Sequence, residues 1–209
     1  MKISYAIPVC NEYKEIEYLL EYLAKHKREQ DEIVVQCDQG NTTPEVYKVL
    51  QELTENTDIS YELIEFPLNN NFSAFKNNLK NNCKGDYIFQ LDADEYPEEY
   101  LMKHVDWFID NNSEVDIFWV PRINKVDGLT QEHIDKWRWN VDNKGRVNFP
   151  DYQCRILRNK KKIKWKNKVH EVLTGYKTES YLPANSEFCL HHLKSIDRQE
   201  KQNKFYSTL

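Results

Sequence analysis

Two aspartates, Asp92 and Asp94, flank Ala93 directly after the apolar run Tyr87-Ile88-Phe89-Gln90-Leu91. On extended backbone, residues two apart share a face, so both carboxylates would point the same way. Carboxylates held that close repel unless they share a cation, and hard oxygen ligands suit Mn2+ or Mg2+. Taken alone, the same pattern also fits a polar strand end or an Asx-turn. Further on stand Asp151 after Pro150, Glu171 after His170, and the neighbours His191 and His192. A strand would turn those two histidines to opposite faces.

What decides between the readings is the set of elements that must position these groups. Ile3 to Val9 reads as a buried strand, and Asn11 stands where a helix cap would, before Ile16, Leu19, Leu20 and Leu23 at helical spacing. Glu32 to Cys37 reads as a strand, Thr43 to Asn56 as a helix with Val46, Val49, Leu50 and Leu53 inside, and Ile59 to Phe66 as a strand. Phe72, Phe75 and Leu79 mark a helix, Gly85 ends it, and Asp86 to Leu91 is the strand that carries the acidic pair. A helix from Pro97 and a strand from Val115 to Val120 follow. Strand and helix alternating in this way predict an α/β fold with a mostly parallel sheet covered on both faces. Ligands of such sheets bind at the carboxyl ends of the strands, which is where Asp92 and Asp94 fall. After Pro121 the pattern changes: Trp137, Trp139 and Val141 alternate with polar residues, Tyr152 to Leu157 and Ile163 to Leu173 are strand-like, and Ser195 to Leu209 reads as a helix capped by Ser195 or Asp197.

The 209 residues fit one domain, with composition typical of a globular chain and a formal charge of −5 that gives no reason to expect nucleic acid. Five scattered cysteines without a C-x-x-C pair are most simply reduced thiols in a cytoplasmic compartment. No stretch approaches the ~18 apolar residues of a membrane span, and the short N-terminal apolar run is no signal peptide.

Several segments, in order, resemble the family 2 glycosyltransferases of the GT-A fold: Ile7-Pro8-Val9-Cys10-Asn11-Glu12, Glu32 through Thr43 with Asp38 in its turn, Phe72-Ser73-Ala74-Phe75-Lys76-Asn77, and Leu91-Asp92-Ala93-Asp94-Glu95. Pro150 to Arg158, Trp165 to Glu171, and His192-Leu193-Lys194-Ser195 with Gln199, Gln202, Asn203, Phe205 and Tyr206 are similar to a subgroup that elongates lipopolysaccharide cores. The resemblance implies one GT-A domain over 1–209, with a nucleotide-sugar half at 1–120 and an acceptor-side half at 121–209. It also implies inverting transfer from a nucleoside-diphosphate sugar, a UDP-sugar such as UDP-glucose, to a glycan or glycolipid hydroxyl, using Mn2+ or Mg2+.

On this resemblance Pro8, Val9, Asn11, Glu12 and Asp38 face the base and ribose, Asp92 holds ribose or serves the metal beside Ala93, and Asp94 ligates it. His192 matches a further metal-ligand position. Asp151 stands where related enzymes place an acidic residue and is the first choice for the base; Glu171 is the second. Each has a plainer reading too: Asn11 as a cap, His192 as a core histidine, Asp151 as a turn acid. Two departures stand out. Gln36 and Cys37 precede a single acid where the family has a pair, and Lys76 replaces an arginine, keeping the charge but not the planar fork. Trp137, Trp139 and Trp165 suit either an acceptor platform or a core. Arg158 to Lys168, with seven basic residues in eleven, suits a solvated hairpin, an anionic acceptor, or peripheral contact with a lipid surface.

Other functions fit less well. A phosphatase using D-x-D as nucleophile carries it after the first strand, and a sugar nucleotidyltransferase needs a glycine-rich loop where this chain has Pro8-Val9-Cys10-Asn11-Glu12. A catalytically degenerate glycan-binding module of the same fold is the remaining alternative.

Overall fold

The computed structural model describes residues 1–206, apart from the side chains of Gln202, Phe205 and Tyr206. The expected helical run to Leu209 and the tail similarity at those three side chains therefore lie outside the described residues. The first half alternates as its periodicity predicts: β1 (Ile3–Val9), α1 (Tyr13–His26), β2 (Glu32–Asp38), α2 (Pro44–Asn56), β3 (Glu62–Phe66), α3 (Phe72–Asn82) and β4 (Tyr87–Gln90). A short β5 (Glu95–Pro97), α4 (Glu99–Asn111) and the long β6 (Ile117–Asp127) follow, and β6 runs through residue 120 without a break. Then come α5 (Gln131–Trp137), β7 (Val147–Arg158), β8 (Lys164–Lys166), β9 (Val172–Thr174), β10 (Glu179–Tyr181), β11 (Leu190–Ser195) and α6 (Ile196–Tyr206).

The main sheet has the order β3-β2-β1-β4-β7-β6-β11-β5, with β10 beside β6. The strands from β3 to β4 are parallel, β7 enters antiparallel between β4 and β6, and β11 lies parallel to β6. β8 and β9 form a separate antiparallel hairpin.

Alternation along β1 explains the two layers. Ile3, Tyr5, Ile7 and Val9 face α1, α2 and α4 in one apolar cluster; Ala6 joins the other, with Leu79 of α3 and Ile163 before the hairpin. Ile16, Leu19, Leu20 and Leu23 of α1 are all at most 1% exposed. Each such burial favours folding by about 1.5–3 kcal/mol. Gly85 is required where α3 hands over to β4: a Cβ there would lie 2.7 Å from the Ser4 amide, and the Gly85 amide itself donates to Ser4 Oγ at 2.8 Å.

Three local expectations are corrected. Asn11 does not cap α1; the N-cap is Glu12, whose own carboxylate accepts from the amides of Cys10 and Asn11 at 2.9 and 3.0 Å. Trp137 closes the helix α5, and Arg138 turns the chain in left-handed conformation before Trp139. Ile163 to Leu173 is two short strands and a connection, with Asn167 and His170 both at positive φ. Ser195 is the cap of α6, its Oγ accepting from the Arg198 amide at 3.3 Å. All five cysteines are free thiols. Among the described residues no helix is long and apolar enough to cross a membrane.

Candidate active site

A cleft of about 1190 Å3 opens at the carboxyl ends of β1, β2 and β4 and runs under β6, β7 and β11. The donor, metal and base candidates of the sequence all line it: Pro8, Val9, Asn11 and Glu12 after β1, Asp38 at the end of β2, Lys76 on α3, Asp92, Ala93 and Asp94 after β4, Asp151 on β7, Glu171 before β9, and His192 on β11.

On the wall built by the parallel strands, backbone amides hold the acids. Asp38 Oδ1 accepts from the Leu68 amide at 2.8 Å, and its Oδ2 from Asn41 Nδ2 at 3.2 Å. The first departure in the sequence has a structural reason: Gln36 is buried and ties β2 to α3, donating to Phe75 O and accepting from Asn78. Lys76 forms an ion pair with Glu171, and its ammonium lies 4.6 Å from the centre of the Trp165 ring.

The acidic pair is not extended. The Glu95 amide donates to Asp92 O at 2.9 Å, so residues 92–95 form a turn, and the two carboxylates take different partners. Asp92 Oδ2 accepts from Arg155 Nη2, which also donates to Glu95 Oε1 at 2.6 Å. The same Glu95 oxygen accepts from Arg122 Nη1 at 2.6 Å. Arg122 Nε and Nη2 reach Asp151 Oδ2 at 2.9 and 2.6 Å. Two guanidiniums thus join three carboxylates around Glu95, whose side chain is fully buried. Burial is the largest influence on Asp92 and on Asp151 and opposes their ionisation; Arg155 and Lys76 with Arg122 at the first, and Arg122 with Asn124 and Gln153 at the second, together outweigh it and hold both carboxyls below the usual range.

Asp94 turns instead to β11. Its Oδ2 lies 3.3 Å from His192 Nε2 and 3.5 Å from Arg198 Nη2. Burial pushes the Asp94 carboxyl up, and the hydrogen bond and charge of His192, with Arg198, pull it well below its ordinary value. Asn124 Nδ2 donates to Asp151 at 2.8 Å, which leaves Asn124 Oδ1 to accept from His192 Nδ1 at 2.7 Å. That bond fixes the tautomer of the network: Nε2 then presents a lone pair to a carboxylate oxygen, and a proton or a cation must lie between them. A nitrogen and an oxygen donor so placed fit a divalent ion. His191, as alternation requires, points away to Glu98 at 2.7 Å. Among the described residues no three His, Cys, Asp or Glu side chains are grouped to hold a metal by themselves, and Asp92 is engaged by Arg155.

The profile of glycosyl transferase family 2 matches residues 4–172. The chain belongs to that family. The fold agrees: residues 1–349 of TarS from S. aureus superpose with a TM-score of 0.64 at 16% identity, covering 92% of this chain and 60% of TarS 1–349. The same TarS fragment in complex with UDP-GlcNAc gives a TM-score of 0.64 at 18% identity, covering 93% and 59%. The chain therefore spans about three-fifths of the length of these TarS fragments. No curated protein matches it in sequence. The GT-A arrangement of family 2 is thus shown, whereas the lipopolysaccharide-core subgroup is not.

Within this family 2 cleft the aromatic residues divide. Trp139 lines it, Trp137 packs 4.7 Å away against Trp139, and Trp165 is buried beneath the hairpin. His170 is exposed rather than packed. The residues that motif reading missed are Arg122, Arg155, Asn124 and Arg198. The first two had a signal: each is a lone arginine inside an apolar strand run, where a charge needs a partner. Arg198 had none, since its partners Glu12, Glu15 and Asp94 are more than 100 residues away.

Proposed function

We propose that this protein is a metal-dependent, inverting glycosyltransferase that moves a sugar from a UDP-sugar to a hydroxyl of a glycan or glycolipid. The observation that carries the reading is the convergence of the acidic turn, the β1 and β2 ends, His192 and Asp151 on one cleft. Pro8, Val9, Asn11, Glu12 and Asp38 take the base and ribose, with Lys76 toward the phosphates. A UDP-sugar is favoured because one TarS fragment of the same fold is described in complex with UDP-GlcNAc.

Mn2+ or Mg2+ would be held by Asp94 and His192, with Asp92 beside them and the donor's phosphate oxygens supplying further ligands. When bound, the ion neutralises charge gathering on the departing diphosphate. Asp151 takes the acceptor's proton. Its Oδ2 is covered by Arg122 and Asn124, whereas Oδ1 receives, among the described residues, only Gln153, at 2.8 Å. Arg122 keeps the group ionised and fixes its direction, and proton transfer to Oδ1 frees the hydroxyl oxygen to attack the anomeric carbon opposite the leaving diphosphate. Glu171, held by Lys76, is the second candidate for that proton.

Thermal melts with UDP-glucose, UDP-GlcNAc and GDP-mannose, each with and without Mn2+, test the donor side. A UDP-sugar is expected to raise Tm in a metal-dependent way, since a ligand of the folded state stabilises it. Slow UDP-sugar hydrolysis should also disappear in Asp94→Ala. If no donor gives a metal-dependent shift and none is turned over, the chain is a glycan-binding module that has kept the fold.

A further inference from the structure

Charge is distributed very unevenly along this chain. Residues 158–177 contain eight of its 29 basic residues and one of its 34 acidic residues, a net of +7 against −12 for the remainder. Elsewhere some surface lysines sit beside acids, as in Lys48–Glu52, Lys84–Glu62 and Lys103–Glu99, and others without an ion pair among the described residues, such as Lys14, Lys25 and Lys144, are spread through the acidic remainder. In this segment Lys160 reaches Asp116 at 2.8 Å, but the ammoniums of Lys161, Lys162, Lys164, Lys166 and Lys168 make no hydrogen bond or ion pair among the described residues. All five residues are exposed.

The fold holds them on one rigid platform. Trp165 faces inward between Lys164 and Lys166, so alternation puts both lysines on the outer face of β8. Asn77 of α3 clamps Trp165 through its backbone, donating to O at 2.8 Å and accepting from N at 2.9 Å. Gly175 passes so close to the turn before β8 that a Cβ would lie 1.9 Å from Lys162 O, and its φ of +84° suits glycine alone. Val172, 51% exposed, is the register partner of Lys166 and adds an apolar side chain to the strand pair. The platform adjoins the cleft, because Glu171 lines the cleft and the Phe72 amide donates to Lys168 O at 2.9 Å.

We propose that the outer face of the β8–β9 hairpin docks this protein on an anionic lipid bilayer, with the cleft mouth beside the membrane. The charges are lysines, compact hydrated points without the bidentate fork that selects a particular phosphate. No exposed aromatic ring stands among them to stack on nucleobases, since Trp165 is only 7% exposed. A spread of unpaired ammoniums suits a diffuse anionic plane, and the strongly acidic remainder is repelled by the same plane, which orients the molecule. This docking does not rest on the sugar-transfer reading, and its test reads binding rather than turnover.

Co-sedimentation with phosphatidylcholine vesicles, with and without phosphatidylglycerol, tests it on the whole protein. Each lysine near such a surface strengthens partitioning by about fivefold. The wild type is expected to bind the anionic vesicles only, less so as salt is raised. The variant K161Q/K162Q/K164Q/K166Q should lose at least about tenfold in partitioning. The control K48Q/K103Q, on two helices of the acidic remainder, should bind like wild type, and unchanged melting temperatures would show that both variants are folded. Absence of binding to phosphatidylglycerol vesicles would overturn the proposal, as would equal binding by the quadruple variant. Tighter binding of a single-stranded oligonucleotide than of vesicles would assign the face to nucleic acid instead.

Discussion

The two walls of the cleft hold their carboxylates in opposite ways. On the parallel wall Glu12 and Asp38 are fixed by backbone amides of turns, those of Cys10, Asn11 and Leu68, with Arg198 reaching only the second oxygen of Glu12. On the other wall Asp92 after β4, Glu95 and Asp151 are fixed chiefly by two arginines of the antiparallel pair β6–β7, lying 27 to 63 residues away in sequence, with the Asp92 amide adding a bond to Glu95. A backbone amide stays in place whatever its side chain becomes. A guanidinium does not. The first wall should therefore tolerate single substitutions, whereas the second is a mutual arrangement in which the loss of one charge leaves others buried without compensation.

The sharpest way to break this comparison is Arg155→Leu. It removes the arginine partner of Asp92 and one of the two charged partners of Glu95, in a site where the arginine is itself almost fully buried. Breaking a buried pair in this way costs about 3–5 kcal/mol. The expected result is a large fall in the denaturant midpoint with an unchanged m-value. A loss under about 1 kcal/mol would mean that water enters and replaces the guanidinium, and that the network is no more cooperative than a surface pair.

Asp151→Asn separates chemistry from architecture on the same wall. Arg122 keeps its bond to Glu95, and the amide that replaces the carboxylate remains a hydrogen-bond acceptor for Asn124. Stability should fall, but less than in Arg155→Leu because Glu95 still compensates Arg122, while removal of a general base lowers kcat by about a hundredfold or more with the donor KM nearly unchanged. Near-wild-type kcat in this variant, together with a collapse in Glu171→Gln, would move the proton to Glu171.

The same contrast explains what could be read from the sequence. The elements of the parallel half follow from local period, as with Ile16, Leu19, Leu20 and Leu23, and the chain direction at strand ends puts Asp38, Asp92 and Asp94 on one rim. Extended geometry at Asp92-Ala93-Asp94 was the wrong premise for a right location, because the turn to Glu95 separates the two carboxylates. The Arg122–Asp151 pairing depends on strand register, including a bulge between Arg122 and Asn124, and no local pattern encodes a register. Asn11 was misread as a cap because the helix starts one residue later than its position requires: Glu12 is the N-cap, and its side chain folds back onto the amides of Cys10 and Asn11, ahead of the helix. Trp165 resembled Trp139 in sequence, yet one lies beneath Lys76 and the other lines the cleft, a difference that only packing decides.

The smallest effect tests the tolerant wall. Asn71 caps α3, its Oδ1 accepting from the Ala74 amide at 3.1 Å, and α3 carries Lys76 to the cleft. Asn71→Ala leaves that amide to water and should cost about 1 kcal/mol, and Asn71→Gly only a few tenths. Both are several-fold below the expectation for Arg155→Leu, and both should leave donor binding intact, because Lys76 remains tied to Glu171 across the cleft. The measurement is a denaturant melt beside a donor titration for each variant. A cost near 3 kcal/mol, or a lost donor shift, would mean that the start of α3 also belongs to the cooperative network, and the division between the walls would have to be redrawn through α3.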